Sequence, residues 1–104
     1  MRRPAAKRDA NHGQIVDRFL ELGCSVEELE HVGIAGFPDL VVGCIGVNHL
    51  VEVKNPDTAY GRAGLNKNQR EFNGRWRGAQ MIAVSSEDEV TAVVQNWRRA
   101  RKHG

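Results

Sequence analysis

The sequence is short of features that staple, span or repeat a chain. Its two cysteines, Cys24 and Cys44, are too few and too isolated for a disulfide framework or a zinc site. They read as buried free thiols in a reducing compartment. No apolar run approaches the roughly 18–20 residues that a membrane span needs. The basic start, residues 1–8, lacks the apolar stretch that would follow in a signal peptide. No internal repeat is visible. These absences exclude a disulfide-rich secreted scaffold and a membrane-spanning protein, and set the expectation of an intracellular, cytoplasmic chain with no membrane partner.

What is present is ordinary globular composition: 104 residues, 40% hydrophobic and 27% charged, enough for one domain with a single core over residues 1–104. The net charge of +2 hides an asymmetry. Arg2, Arg3, Lys7 and Arg8 crowd a basic N-terminal tail (residues 1–8). Arg98, Arg99, Arg101 and Lys102 crowd a C-terminal one (residues 98–104), and all 13 acidic residues lie between them. Basic tails attract phosphate at long range, although they serve equally as solubilising ends.

Hydrophobic periodicity predicts a first helix over residues 9–22, with Ile15, Phe19 and Leu22 on one face and Gly23 as its stop. A short strand follows over residues 24–29. The glycine-punctuated loop 32–38 then delivers the chain to Asp39. Two apolar runs, residues 39–44 and 49–54, read as a hairpin joined through Gly46. Residues 55–65 read as a mobile loop. Asn66 caps a second helix to Trp76, with Leu65, Phe72 and Trp76 facing inward. A strand over residues 81–85 leads to a last helix, opened by a Ser86–Glu89 capping box and striped with Val90, Val93, Val94 and Trp97.

The hairpin carries the chemistry. If its turn centres between Ile45 and Gly46, paired residue numbers sum to 91 and Asp39 stands opposite Glu52. Side chains so opposed lie about 4.5–5.5 Å apart on one sheet face, and alternation adds Lys54 to that face. Facing carboxylates repel unless something positive intervenes. Lys54 offsets part of this, and a divalent cation suited to hard oxygen ligands, Mg²⁺ above all, the rest. A one-residue register slip would undo the arrangement. The plainer alternative is a surface ion pair of Glu52 with Lys54 at a strand end. Against it, Val41, Val42, Leu50, Val51 and Val53 indicate strands covered on both faces, where unpaired charge is costly.

The run Gly36-Phe37-Pro38-Asp39-Leu40, then Glu52-Val53-Lys54, then Gln69 on the next helix, resembles the PD-(D/E)XK nuclease superfamily. More narrowly the chain is similar to virus-type replication-repair nuclease (VRR-NUC) domains, including small phage proteins of this size. The archaeal Holliday junction resolvases are neighbours that share the core. The likeness runs from Arg8-Asp9-Ala10-Asn11 to Trp76-Arg77-Gly78 and the strand after it. It implies an α/β fold, a restriction-endonuclease-like αβββαβ core whose four-stranded mixed sheet is flanked by helices, with a C-terminal helix added. It also implies that Asp39, Glu52 and the Val53 carbonyl hold a metal, and that Lys54 positions or deprotonates the attacking water and stabilises charge on the phosphate. Gln69 would orient the water or touch the scissile strand, a role compatible with closing a capping box with Asn66.

Relatives often carry a glutamate on the first helix. Here the corresponding positions are His12 or Gln14, neither acidic, with Asp9 one turn earlier, which leaves the third metal ligand open. Arg62, Lys67 and Arg70 cluster beside the expected site, where a helix N-terminus also favours phosphate. With Arg8, Asn11 and His12 they are the candidate nucleic-acid contacts. Since phosphate contacts position without reading sequence, recognition of shape is expected. The resulting expectation is an Mg²⁺-dependent endonuclease, with Mn²⁺ substituting and no small-molecule cofactor. It would act on branched or Holliday-junction DNA as a homodimer. The alternatives are a restriction-type, sequence-specific nuclease and a non-catalytic DNA-binding module on the same fold.

Overall fold

The computed structural model describes residues 10–29 and 34–103. Arg8, Asp9, the N-terminal basic tail and the start of the glycine loop lie outside the described residues. Helix α1 spans His12–Glu21 and buries Ile15 and Phe19 completely, one turn apart on a single face. Its end is a Schellman motif: Gly23 takes φ +87, its N–H donates to Leu20 O, and the Cys24 N–H donates to Phe19 O at 3.0 Å. The helix is thereby turned straight into the first strand.

Strands β1 (Ser25–Glu28), β2 (Leu40–Cys44), β3 (Val47–Val53) and β4 (Ile82–Val84) form one sheet in the order β1-β2-β3-β4. The first three are antiparallel and β4 runs parallel to β3. The β2–β3 register pairs Leu40 with Val51 and Cys44 with Val47, as the turn at Ile45-Gly46 predicts. Both turn residues have positive φ, 54 and 78, the backbone of a two-residue type I′ hairpin.

Alternation sorts the sheet faces. Leu40, Val42, Cys44, Val51, Val53 and Val84 pack with Ile15 and Phe19 of α1 and with Val90 and Val94 of α4 (Glu87–His103) into the main core. Each such fully buried side chain contributes about 1.5–3 kcal/mol. The opposite face carries α3 (Lys67–Arg75), whose Phe72 meets Phe37 edge-to-face at 5.7 Å. Asn73 fastens α3 to the approach of β4 by bonding both the N–H and the C=O of Met81.

Several expectations need correction. Residues 55–65 are not simply a loop: α2 (Ala59–Arg62) forms within them, N-capped by Thr58. It inserts an extra helix into the expected order. Trp76 does not face inward. It follows the helix end, 40% exposed, and stacks on Phe72. At α4, Ser86 Oγ accepts the Glu89 N–H, but the Glu89 carboxylate reaches back to Ser85 rather than Ser86. Cys24 and Cys44, free and buried, are not isolated. Burial and the neighbouring Cys44 thiol push Cys24 up to about 12. Among the described residues no helix is long and apolar enough to cross a membrane.

Candidate active site

Asp39 immediately precedes β2, and continuing the register sets it across from Glu52. A side-chain bond fixes this: Asp39 Oδ2 accepts the Val53 N–H at 2.9 Å. The Lys54 N–H instead donates to Val84 O, so Val53 turns its backbone polar groups towards Asp39 and Lys54 turns its own towards β4. The Val53 carbonyl therefore lies on the Asp39 side of β3.

Glu52, Lys54 and Asp39 share the face covered by α3. Lys54 is only 4% exposed, and its Nζ lies 3.8 Å from Glu52 Oε2, a charge pair too long for a hydrogen bond. Glu52 Oε1 is buried and has no hydrogen-bond partner. Burial first, and then the charge of Asp39, push the Glu52 carboxyl up to about 7. Gln69, Lys54 and the Asp39 backbone pull it back in part. A buried carboxylate oxygen without a partner is costly, and two acids with a backbone carbonyl beside them are the donor chemistry of a hard divalent cation. The residues present fit such an ion. Among the described residues no group of three His, Cys, Asp or Glu side chains could hold a metal.

Two local devices bring the second wall of the site in. Gly36, at φ +84, lies so close to α3 that a Cβ there would stand 2.4 Å from Asn68 O, so the loop carrying Asp39 rests directly on the helix carrying Gln69. At the start of α3, Asn66 Oδ1 accepts the Gln69 N–H and Gln69 Oε1 accepts the Asn66 N–H, both at 2.9 Å. The capping box thus occupies the oxygen of Gln69, which is 4% exposed, and leaves its NH₂ outside the box. A water-orienting role for Gln69 is correspondingly narrowed to that of a donor.

The fold matches a solved structure. A domain described as a VRR-NUC domain superposes with a TM-score of 0.61 at 31% identity, over 81% of this chain and 89% of the other. The chain belongs to the VRR-NUC family. No family model and no curated protein matches it. Its VRR-NUC, nuclease-type fold is thus established from structure and identity together.

The remaining site residues separate into two groups. Arg62, Lys67 and Arg70 stand exposed near the site, with Arg62 and Arg70 also bonded to the local carbonyls of Pro56 and Leu65. Asn11 and His12, expected to contact nucleic acid, hold bonds within the fold. Asn11 Nδ2 donates to both Lys54 O and Ser85 O, clamping the ends of β3 and β4. His12 is 7% exposed, with Nε2 3.0 Å from Glu28 Oε1. Glu28 pairs with Leu40, on the face opposite the acids, so His12 does not take the place of the third ligand. Sequence reasoning missed Tyr60, whose ring centroid lies 4.9 Å from Lys54 Nζ. An aromatic six positions after that lysine, in a segment taken for a loop, gave no periodic signal.

Proposed function

We propose that this VRR-NUC protein is a metal-dependent endonuclease that hydrolyses DNA phosphodiester bonds, with Mg²⁺ as cofactor and Mn²⁺ as a substitute. The observation that carries this reading is the buried, unpartnered Oε1 of Glu52, facing Asp39 and flanked by Lys54. Asp39, Glu52 and the Val53 carbonyl would hold the cation. When bound, it would lower the pKa of a coordinated water and neutralise charge on the phosphate. Gln69, whose oxygen is held in the capping box, would offer its NH₂ to Glu52 or to the attacking water. As an ammonium, Lys54 would direct its N–H groups at the charge that builds on the phosphate oxygens; only as the neutral amine could it instead take the proton of the attacking water.

The preferred substrate is branched or junction DNA and the working unit a homodimer. A single acidic centre among the described residues supports this, because paired cuts in a two-fold substrate need two centres related by symmetry. Arg62, Lys67 and Arg70 supply phosphate contacts, which read shape rather than sequence. The test incubates purified protein with a four-way junction, a linear duplex and single strands, in Mg²⁺ or EDTA. Faster Mg²⁺-dependent cutting of the junction supports the reading, and equal cutting of all three removes the selectivity. Folded protein that cuts nothing, in Mn²⁺ as well, removes the nuclease.

The lack of a third acid near the pair among the described residues favours one rival, a DNA-binding module without catalysis. Calorimetric titration with Mg²⁺ or Mn²⁺ separates the two. Metal binding that vanishes in Asp39→Ala favours the enzyme. Retained DNA affinity without metal binding favours the module.

A further inference from the structure

A buried lysine beside an acid pair needs something to keep its ammonium in place, and the 3.8 Å contact with Glu52 lacks the geometry of a hydrogen bond. The chain folds back on itself to supply it. After Lys54, Thr58 returns both its N–H and its hydroxyl to Asn55 O, and the Asp57 N–H bonds Asn55 Oδ1. Helix α2 is then pressed against this turn at Gly61, where a Cβ would lie 1.8 Å from Asn55 O. That contact admits no side chain, and it holds the preceding residue over the end of β3: Tyr60 lays its ring 4.9 Å from Lys54 Nζ, within the roughly 6 Å of a cation–π contact. The Tyr60 hydroxyl accepts a 2.6 Å hydrogen bond from Asn66 Nδ2, and Asn66 is the residue whose Oδ1 and N–H bond Gln69. Tyr60 is therefore joined at one end to Lys54 and at the other to the cap that holds Gln69, while the side chain as a whole stays 65% exposed.

We propose that Tyr60 is a positioning residue of the active site, whose ring holds the Lys54 ammonium beside Glu52. This rests on the nuclease reading above for its catalytic consequence, but not for its structural content. An exposed tyrosine with no such role would be replaceable at little cost. A tyrosine that holds Lys54 acts on the chemical step more than on DNA binding, because its ring lies on the lysine and its hydroxyl is bonded to Asn66.

The experiment compares wild type, Tyr60→Leu and Tyr60→Phe in two assays. In the first, metal-free protein is reductively methylated with formaldehyde and a borane, and the rate at Lys54 is read by peptide mass spectrometry against the exposed Lys67 as internal reference. Tyr60→Leu is expected to raise the Lys54 rate severalfold, with Tyr60→Phe close to wild type. In the second, cleavage is measured in Mg²⁺. Tyr60→Leu is expected to lower kcat about tenfold with KM nearly unchanged, and Tyr60→Phe to restore most of it. An unchanged Lys54 labelling rate in Tyr60→Leu overturns the proposal. So does faster labelling with unaltered kcat, and so does a Tyr60→Phe variant as impaired as Tyr60→Leu. Should wild type cut no DNA at all, the nuclease reading falls, while the labelling rates still decide whether Tyr60 holds Lys54.

Discussion

Asp39 Oδ2 accepts the backbone N–H of Val53, the residue directly after Glu52, at 2.9 Å. One carboxylate thus serves the hairpin register and the acid pair together, so charge and structure can be separated by substitution. Asp39→Asn keeps an acceptor for the Val53 N–H and removes the charge that raises Glu52. Cleavage is expected to fall by at least about 10²-fold, while the metal-free melting temperature holds or rises as the like-charge repulsion is relieved. Asp39→Ala is expected to lose the same activity and also stability, by about 1 kcal/mol for the lost hydrogen bond. Parallel cleavage and thermal-melting measurements check both. An Asp39→Asn variant that cuts normally would remove Asp39 from the site.

Glu52 sets a pH dependence of unusual sign for a carboxylate. Burial and the charge of Asp39 push the Glu52 carboxyl up to about 7, against 4.5 for the free group. Between these values the folded state binds more protons than the unfolded one, so stability in EDTA falls as pH rises through this window, by no more than about 3 kcal/mol. Urea unfolding at pH 5 and pH 7.5 measures it, and Glu52→Gln is expected to flatten the difference. Mg²⁺ requires the ionised carboxylate, so its affinity by calorimetry should climb over the same window.

Gly36 is the point where the Asp39 loop rests on α3. At φ +84, with Asn68 O in the place of a Cβ, alanine there meets both an unfavourable backbone and a clash. Gly36→Ala is expected to cost at least about 1–2 kcal/mol and to lower activity beyond the stability loss, by parting Asp39 from Gln69. Gly74→Ala is the control: a Cβ there, in the last turn of α3, meets nothing within 4 Å, and it should be neutral or slightly stabilising.

How much of this was legible in the sequence differs by element. The Asp39–Glu52 register was readable because a two-residue turn leaves one pairing that buries Leu40 and Val51 on the same face. The Asn66–Gln69 capping box was readable because both partners are three residues apart. His12–Glu28, Asn11 on two strand-end carbonyls, and Cys24 against Cys44 were not, because each is a long-range contact set by how elements pack. Helix α2 was missed for another reason. Its four residues carry no periodicity, and what holds it is the approach of Gly61 to Asn55, which only coordinates reveal.

The hairpin turn retains a local conflict. Ile45 has φ 54, a left-handed conformation that a β-branched residue adopts at a cost of about 1–2 kcal/mol. Ile45→Asn supplies a residue that tolerates this backbone and leaves the carbonyl that accepts Arg101 in place. It is expected to stabilise the protein by about 0.5–1 kcal/mol, raising the melting temperature by a few degrees, with activity unchanged.

His49 presents the opposite sign of pH effect to Glu52. Its ring stacks on Trp97 at 3.6 Å and its Nε2 is buried without a partner. Burial lowers its pKa from the ordinary 6.5, so the folded chain keeps it neutral while the unfolded chain takes up a proton below that value. Its contribution is therefore complete above pH 6.5 and is lost as pH falls. His49→Phe keeps an aromatic ring for the stack and removes both the orphaned nitrogen and the proton uptake. It is expected to be neutral or stabilising at pH 7.5, and its advantage over wild type should widen as pH falls from 7 to 5. Melting curves in EDTA across that range measure it. Because His49 lies on the α4 side of the sheet, cleavage at neutral pH should not change. A gap that narrowed on acidification would mean that the imidazole finds a partner when protonated.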